Sequence, residues 1–186
     1  MLSKSVKINH FSKFLLILSI SSLIFSCSSL TDKEKRIKDI ESIQGILFED
    51  PASVKESSKR NLEMNTLRDY YKQYVAAYPT DSLSGLYIYN LAMMEADHYK
   101  RYEESVNYLG RFYREFPNDK NAAKALFLQG FTYAEYLKDF KRAEAVYTKF
   151  LQTYPDHEMV ASIKFELQNL GKTPEELLNN QIQSND

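Results

Sequence analysis

Between residues 79 and 154 the chain sets bulky and small apolar residues in the same order twice. Leu126, Gly130 and Tyr133 share one face at helical spacing. Phe140, Ala143, Tyr147, Phe150 and Leu151 form a second such face. The polar break between them, "LKDF", is just long enough to reverse the chain, so the pattern predicts two antiparallel helices. The same pattern stands 38 residues earlier: Ile88 matches Leu126, Ala92 Gly130, Tyr102 Phe140, Ser105 Ala143, Leu109 Tyr147, and Phe112 Phe150. Tyr78-Pro79, Phe116-Pro117 and Tyr154-Pro155 recur at that interval. Each proline ends a second helix, because it has no N–H and disfavours helix in the residue before it. Units are therefore expected at 79–116 and 117–154. The small Gly130 and Ala143 should let their two helices approach closely.

The flanks read as partial units. "LEMNTLRDYYKQYVAAYP" puts Met64, Leu67, Tyr71 and Tyr74 in register with Tyr102, Ser105, Leu109 and Phe112. It predicts the second helix of a preceding hairpin, with room to extend back to Pro51. "DHEMVASIKFELQNLG" predicts the first helix of a following hairpin, closed by Gly171. "TPEELL" then opens another helix, with Thr173 as N-cap, Pro174 at the first position and Glu176 completing a capping box. The repeat domain is expected over 51–182, with a frayed tail at 183–186. One hairpin cannot bury its whole apolar face, so the expected fold is all-α, hairpin stacked on hairpin.

These residues resemble the tetratricopeptide repeat. Leu126, Gly130, Tyr133, Ala143, Tyr147 and Pro155 follow its spacing, and Ile88, Ala92, Glu95, Ser105, Leu109 and Pro117 follow it less closely. The period of 38 exceeds the usual repeat of about 34 and resembles the variant of bacterial envelope proteins. The resemblance implies an α-solenoid whose first helices line a concave groove for protein partners. On the groove side it would place Tyr89, Met93 and Asp97 in one unit, and Lys124, Phe127, Phe131 and Glu135 in the next. Tyr, Phe and Met are adaptable anchors. Alternatively the stripe packs against the chain's own amino-terminal helix, where Ile37, Ile40 and Ile43 form a weak apolar row among charges.

The amino terminus reads differently. "MLSKSVKINHFSK" is basic, and the apolar run Phe14–Phe25 is only 12 residues long, against about 20 for a spanning helix. That is the pattern of a secretory signal. It ends in "LIFSC", which resembles a bacterial lipobox, with Phe25 where a smaller residue is usual. The resemblance implies cleavage after Ser26, lipid on the Cys27 sulfur, and a signal peptide at 1–26. A tether and amino-terminal helix would then fill 27–50. In lipoproteins of that type Ser28 after the cysteine implies sorting to the outer membrane, and the periplasmic face is expected rather than the cell surface.

Composition narrows the activity. Gly and Pro number 5 each, too few for many tight turns, while 14 Tyr and 11 Phe predict an aromatic core. Without Lys4, Lys7 and Lys13 the chain has 21 basic against 25 acidic residues. Nucleic acid normally requires a basic face, so it is not an expected partner. The single cysteine excludes an intramolecular disulfide. His10, His98 and His157 fit no metal-ligand spacing, and "EADHY" reads as the solvated end of a helix. No nucleophile, phosphate-loop or dinucleotide motif is present. No enzyme, cofactor, metal or small-molecule substrate is expected.

The chain also resembles small bacterial envelope lipoproteins with tetratricopeptide repeats, loosely those of the BamD type, although it has room for fewer units. That implies a lipid-anchored outer-membrane scaffold for protein partners in envelope assembly. The alternatives are an accessory of cell-wall synthesis or division, and a surface-exposed lipoprotein that captures a ligand.

Overall fold

The computed structural model describes residues 30–49, 51–173 and 175–176. Cys27, the segment before it, and residues 177–186 lie outside the described residues. The chain divides into two units, 1–38 and 39–186. The described part of the first begins helix α1 (Asp32–Gln44) with a capping box. The Thr31 N–H donates to Glu34 Oε2 at 2.7 Å and the Glu34 N–H to Thr31 Oγ1 at 3.2 Å. Arg36 pairs with Asp32 at 2.8 Å.

The second unit is all-α among its described residues. A wide helical turn at Gly45–Glu49 and a tight one at Pro51–Val54 lead into α2 (Ser57–Ala77). There follow α3 (Ser82–Asp97), α4 (Tyr102–Glu115), α5 (Ala122–Glu135), α6 (Phe140–Thr153) and α7 (Val160–Asn169). Helices consecutive in sequence pack together. Side chains also link α4 directly to α6. Arg142 reaches Glu103 at 3.1 Å, and the Lys149 ammonium sits 4.3 Å from the Tyr113 ring centre. α2 starts at Ser57, so the expected extension to Pro51 is replaced by the separate turn. Ile40 is fully buried, which makes the amino-terminal row more than a weak stripe.

The 38-residue register is written into the backbone. Tyr78, Phe116 and Tyr154 end their helices at φ −133°, −128° and −128°, and each N–H reaches the carbonyl four residues back. After each proline a side chain closes the turn that leads into the next helix, and at the first of them it is also the N-cap. Asp81 Oδ1 accepts from the Leu83 N–H and Asp119 Oδ1 from the Asn121 N–H. His157 stands at the third such position, and its Nδ1 accepts from the Met159 N–H at 3.2 Å. Within the hairpins, Lys100 and Lys138 take equivalent left-handed conformations, φ 55° and 51°. Local backbone bonds over-determine each turn: Tyr99 to Met94 and Arg101 to Glu95, then Leu137 to Thr132 and Asp139 to Tyr133. The chain stops α7 at Gly171, φ +78°, a region that favours glycine. The predicted capping box follows, with Thr173 N–H to Glu176 Oε2 at 2.7 Å and Glu176 N–H to Thr173 Oγ1 at 3.3 Å.

The core is aromatic at both ends. Met64, Leu67, Tyr71 and Tyr74 are all buried, as their register requires. Tyr71 stacks on Tyr87 with centroids 4.7 Å apart, and Tyr74 meets Tyr87 edge-on at 5.0 Å. Further along, Val106, Leu126, Ala143, Tyr147, Phe150 and Ile163 form one cluster from α4, α5, α6 and α7. Burying a side chain of this size contributes about 1.5–3 kcal/mol. Gly130 matters here because of the Tyr147 ring. A Cβ on Gly130 would lie 2.6 Å from Tyr147 Cε1. The equivalent pair in the unit before is Ala92 and Leu109, both buried, so one methyl gained goes with a ring lost.

Gly130→Ala should therefore lower stability by about 1–3 kcal/mol through overpacking. Combining it with Tyr147→Leu should recover much of the sum of the two single losses, read as a double-mutant cycle of urea unfolding. Alkali should also unfold the protein. Burial, then the Asp81 carboxylate, push Tyr74 up to about 12, and burial with the Tyr74 and Tyr71 phenols does the same for Tyr87. In the unfolded chain these groups ionise near the ordinary value of about 10. Above that pH the unfolded state gives up protons that the fold retains. Stability should be intact below about pH 10 and fall progressively towards about pH 12, followed by circular dichroism against phenolate absorbance.

Candidate functional site

The seven positions expected on the groove side lie on α3 and α5. Tyr89, Met93, Phe127 and Phe131 are half-buried, while Asp97, Lys124 and Glu135 are exposed. The residues do not form one continuous set. Tyr89 leans on Phe112 of its own hairpin at 5.4 Å. Met93 lines a 320 Å³ cavity with Gln44, Phe48, Leu67, Tyr71, Asn90 and Met94. Gln44 Nε2 and Asn90 Nδ2 both donate to the Tyr71 hydroxyl, at 2.7 and 3.3 Å. The segment at 44–48 thus shares the Met93 end of the stripe.

On α5, Phe127 and Phe131 lie 6.0 Å apart, and Phe131 meets Tyr136 edge-on at 6.1 Å. Lys124 sits at the opposite end of the helix from Glu135, about 16 Å along the axis. Glu135 instead lines a 580 Å³ cleft with Glu166, Phe140 and Phe165. Phe165 is 55% exposed and Phe140 40%. Burial first, then the Glu135 charge, raise the Glu166 carboxyl above its ordinary value. Burial, then the Glu166 and Glu135 charges, push the Tyr147 phenol up. Sequence reasoning missed Glu166, Phe165 and this part of Tyr147. The register sets Glu166 with Asn90 and Leu128, and Tyr147 with Tyr71 and Leu109.

The carboxylate of "EADHY" closest to chemistry is Glu95, and it is not solvated. It is 0% exposed, the one fully buried charged residue among those described. It occupies the position of Tyr133 in the next unit, so its side chain enters the hairpin interior. Arg68 of α2 follows it there, with Nε 2.6 Å from Oε1, while Oε2 has no hydrogen-bond partner among the described residues and Arg101 is 4.0 Å away. The Tyr99 ring, anchored through its hydroxyl to Asn65 at 2.7 Å, flanks the Arg68 guanidinium at 5.0 Å. The pair ties α2 to α3. Asp97 is exposed and His98 packs edge-on against Tyr99. No group of three metal-ligating side chains occurs among the described residues.

A family model of the tetratricopeptide repeat matches residues 124–157, which span α5, the Lys138 turn, α6 and the Tyr154-Pro155 stop. The chain contains a tetratricopeptide repeat. With the matching backbone 38 residues earlier, its described fold is an all-α tetratricopeptide-type solenoid. Such repeats typically act as non-catalytic scaffolds and commonly mediate protein–protein contacts. No curated protein matches the chain. No helix among the described residues is long and apolar enough to cross a membrane.

Arg68→Ala should leave Glu95 buried without its partner and lower stability by about 3–5 kcal/mol, measured by chemical denaturation. The same change at exposed Arg111, which pairs with Glu115 on one helix turn, should cost under about 1 kcal/mol.

Proposed function

We propose that this protein is a lipid-anchored outer-membrane adaptor that docks protein partners of envelope assembly on the first-helix face of its repeats. The observation that carries the docking reading is the aromatic row of α5, where Phe127 and Phe131 stay half-open and Phe131 meets exposed Tyr136 edge-on. A helical repeat would otherwise spend such rings on its own core. The amino-terminal segment shares the Met93 end, so the working face runs from Phe127 towards α7. The anchor reading rests on sequence: a basic start, a short apolar run and "LIFSC" before Ser28. Lipid at Cys27 with further acylation would hold the protein firmly, because two lipid signals already give stable anchoring. The mechanism is presentation. The membrane sets location, and the stacked hairpins keep the face rigid, so little ordering is required on binding.

A photo-crosslinking residue at Phe131, used in intact envelopes, should capture one defined protein, and Phe127→Ala with Phe131→Ala should abolish that capture without unfolding the chain. Mass spectrometry should find Cys27 acylated, and protease added to intact cells should leave the repeat domain uncut. An unmodified Cys27 or ready surface cleavage would remove the anchor or the orientation respectively.

A further inference from the structure

The cavity at the Met93 end has a lining unlike those of two larger clefts. No described residue that lines its 320 Å³ carries a charge. The 610 Å³ cleft at Arg111 and Arg114 and the 580 Å³ cleft at Glu135 and Glu166 are both lined by charges. Leu67, Met93 and Met94 give the small cavity apolar walls, and methionine adapts its shape to what it touches. Phe48 lines it too, yet stays 59% exposed. It stands on the wide turn Gly45–Glu49, next to fully buried Leu47. The turn is thus anchored while the ring stays open.

One buried polar group in this lining has no acceptor for its proton. Tyr71 is 2% exposed. As the two amides are oriented, its hydroxyl accepts from Gln44 Nε2 and from Asn90 Nδ2, and it donates to nothing among the described residues. A hydroxyl has one donor and two acceptor sites, so the donor is what is left over. Leaving a buried donor unused destabilises a fold. The repeat does not require this arrangement, because the next junction has Leu109 and Leu128 in place of Tyr71 and Asn90. The carbonyl oxygens of Gln44 and Asn90 likewise accept nothing among the described residues. The lining therefore offers one unused O–H and two unused amide oxygens beside apolar walls. A secondary amide has the complement, one carbonyl acceptor and one N–H donor. The volume falls at the small end of ligand sites, about 300–1,000 Å³.

We propose that this cavity binds a small uncharged molecule in which an apolar group is joined to a secondary amide. Its carbonyl accepts from the Tyr71 hydroxyl, its N–H donates to the oxygen of Asn90 or Gln44, and its apolar group lies among Leu67, Met93, Met94 and Phe48. The site is separate from the docking face at Phe127 and Phe131 and does not depend on it.

The test is a titration of the full chain in detergent micelles with Nα-acetyl-norleucine methylamide, followed at the methyl resonances of Met93 and Met94. The lysine analogue tests the exclusion of charge, and the glycine analogue tests the apolar group. The expected result is saturable shifts with a Kd on the order of 1 mM, at least roughly tenfold tighter than for either analogue. The melting temperature should rise with the concentration of the norleucine probe, which a merely structural tie between Gln44, Asn90 and Tyr71 would not produce. Tyr71→Phe should weaken binding about fivefold, and Asn90→Leu, which installs the residue of the next junction, should weaken it further. Phe48 is exposed, so Phe48→Ala keeps the fold and should also weaken binding. Phe131→Ala, on the docking face, should leave the titration unchanged. The proposal is overturned by an absence of saturable shifts, by equal affinity for the lysine or glycine analogue, by undiminished binding in Asn90→Leu or Phe48→Ala, or by loss of binding in Phe131→Ala.

Discussion

A hairpin of two helices has more apolar surface than its own internal interface can cover. Everything else in this protein follows from that constraint. Val106 of α4 and Ile163 of α7 join the cluster built by α5 and α6, so the second hairpin is closed from both sides by its neighbours. The aromatic ladder of Tyr71, Tyr74 and Tyr87 does the same between α2 and α3. Because stacking has to recur at a fixed interval, the backbone recurs too. Three helix stops, three turn-closing side chains and two left-handed lysines keep the same register.

Within that frame the two units solve one packing problem with different side chains. Gly130 admits the Tyr147 ring where Ala92 accompanies Leu109. Glu95 takes a tyrosine's place, and the consequence extends to α2, because Arg68 pairs with it there at 2.6 Å. His157 does the work of Asp81 and Asp119 with a ring nitrogen. Its Nδ1 accepts from the Met159 N–H and so closes the turn that leads into α7. The departures from the repeat are therefore of two kinds. Some, like Arg68 with Glu95 and Gly130 with Tyr147, bring their own compensation. The Tyr147 hydroxyl, without a hydrogen-bond partner among the described residues, does not.

Much was legible in the sequence. The helix ends at Tyr78, Phe116 and Tyr154, the stop at Gly171 and the capping box at Thr173 depend on short-range rules: proline geometry, glycine at positive φ, and a side chain reaching the next turn. Burial of Met64, Leu67, Tyr71 and Tyr74 followed from register alone. The candidate stripe was legible as a set of positions on α3 and α5. Its division was not, since the share taken by Gln44 and Phe48 depends on where a distant segment comes to rest.

The sequence by itself determined the all-α repeat, because periodicity and punctuation act within a few residues of each other. Only the tertiary structure decided which charges are buried and which rings stay open. Glu95 reads as solvated beside Asp97 and His98, yet Arg68, 27 residues away, draws it inside. Glu135 and Glu166 are 31 positions apart and meet only because α7 stacks on α5 and α6. Charge burial depends on what lies across an interface, and that is a property of the stacked hairpins rather than of any one stretch of chain.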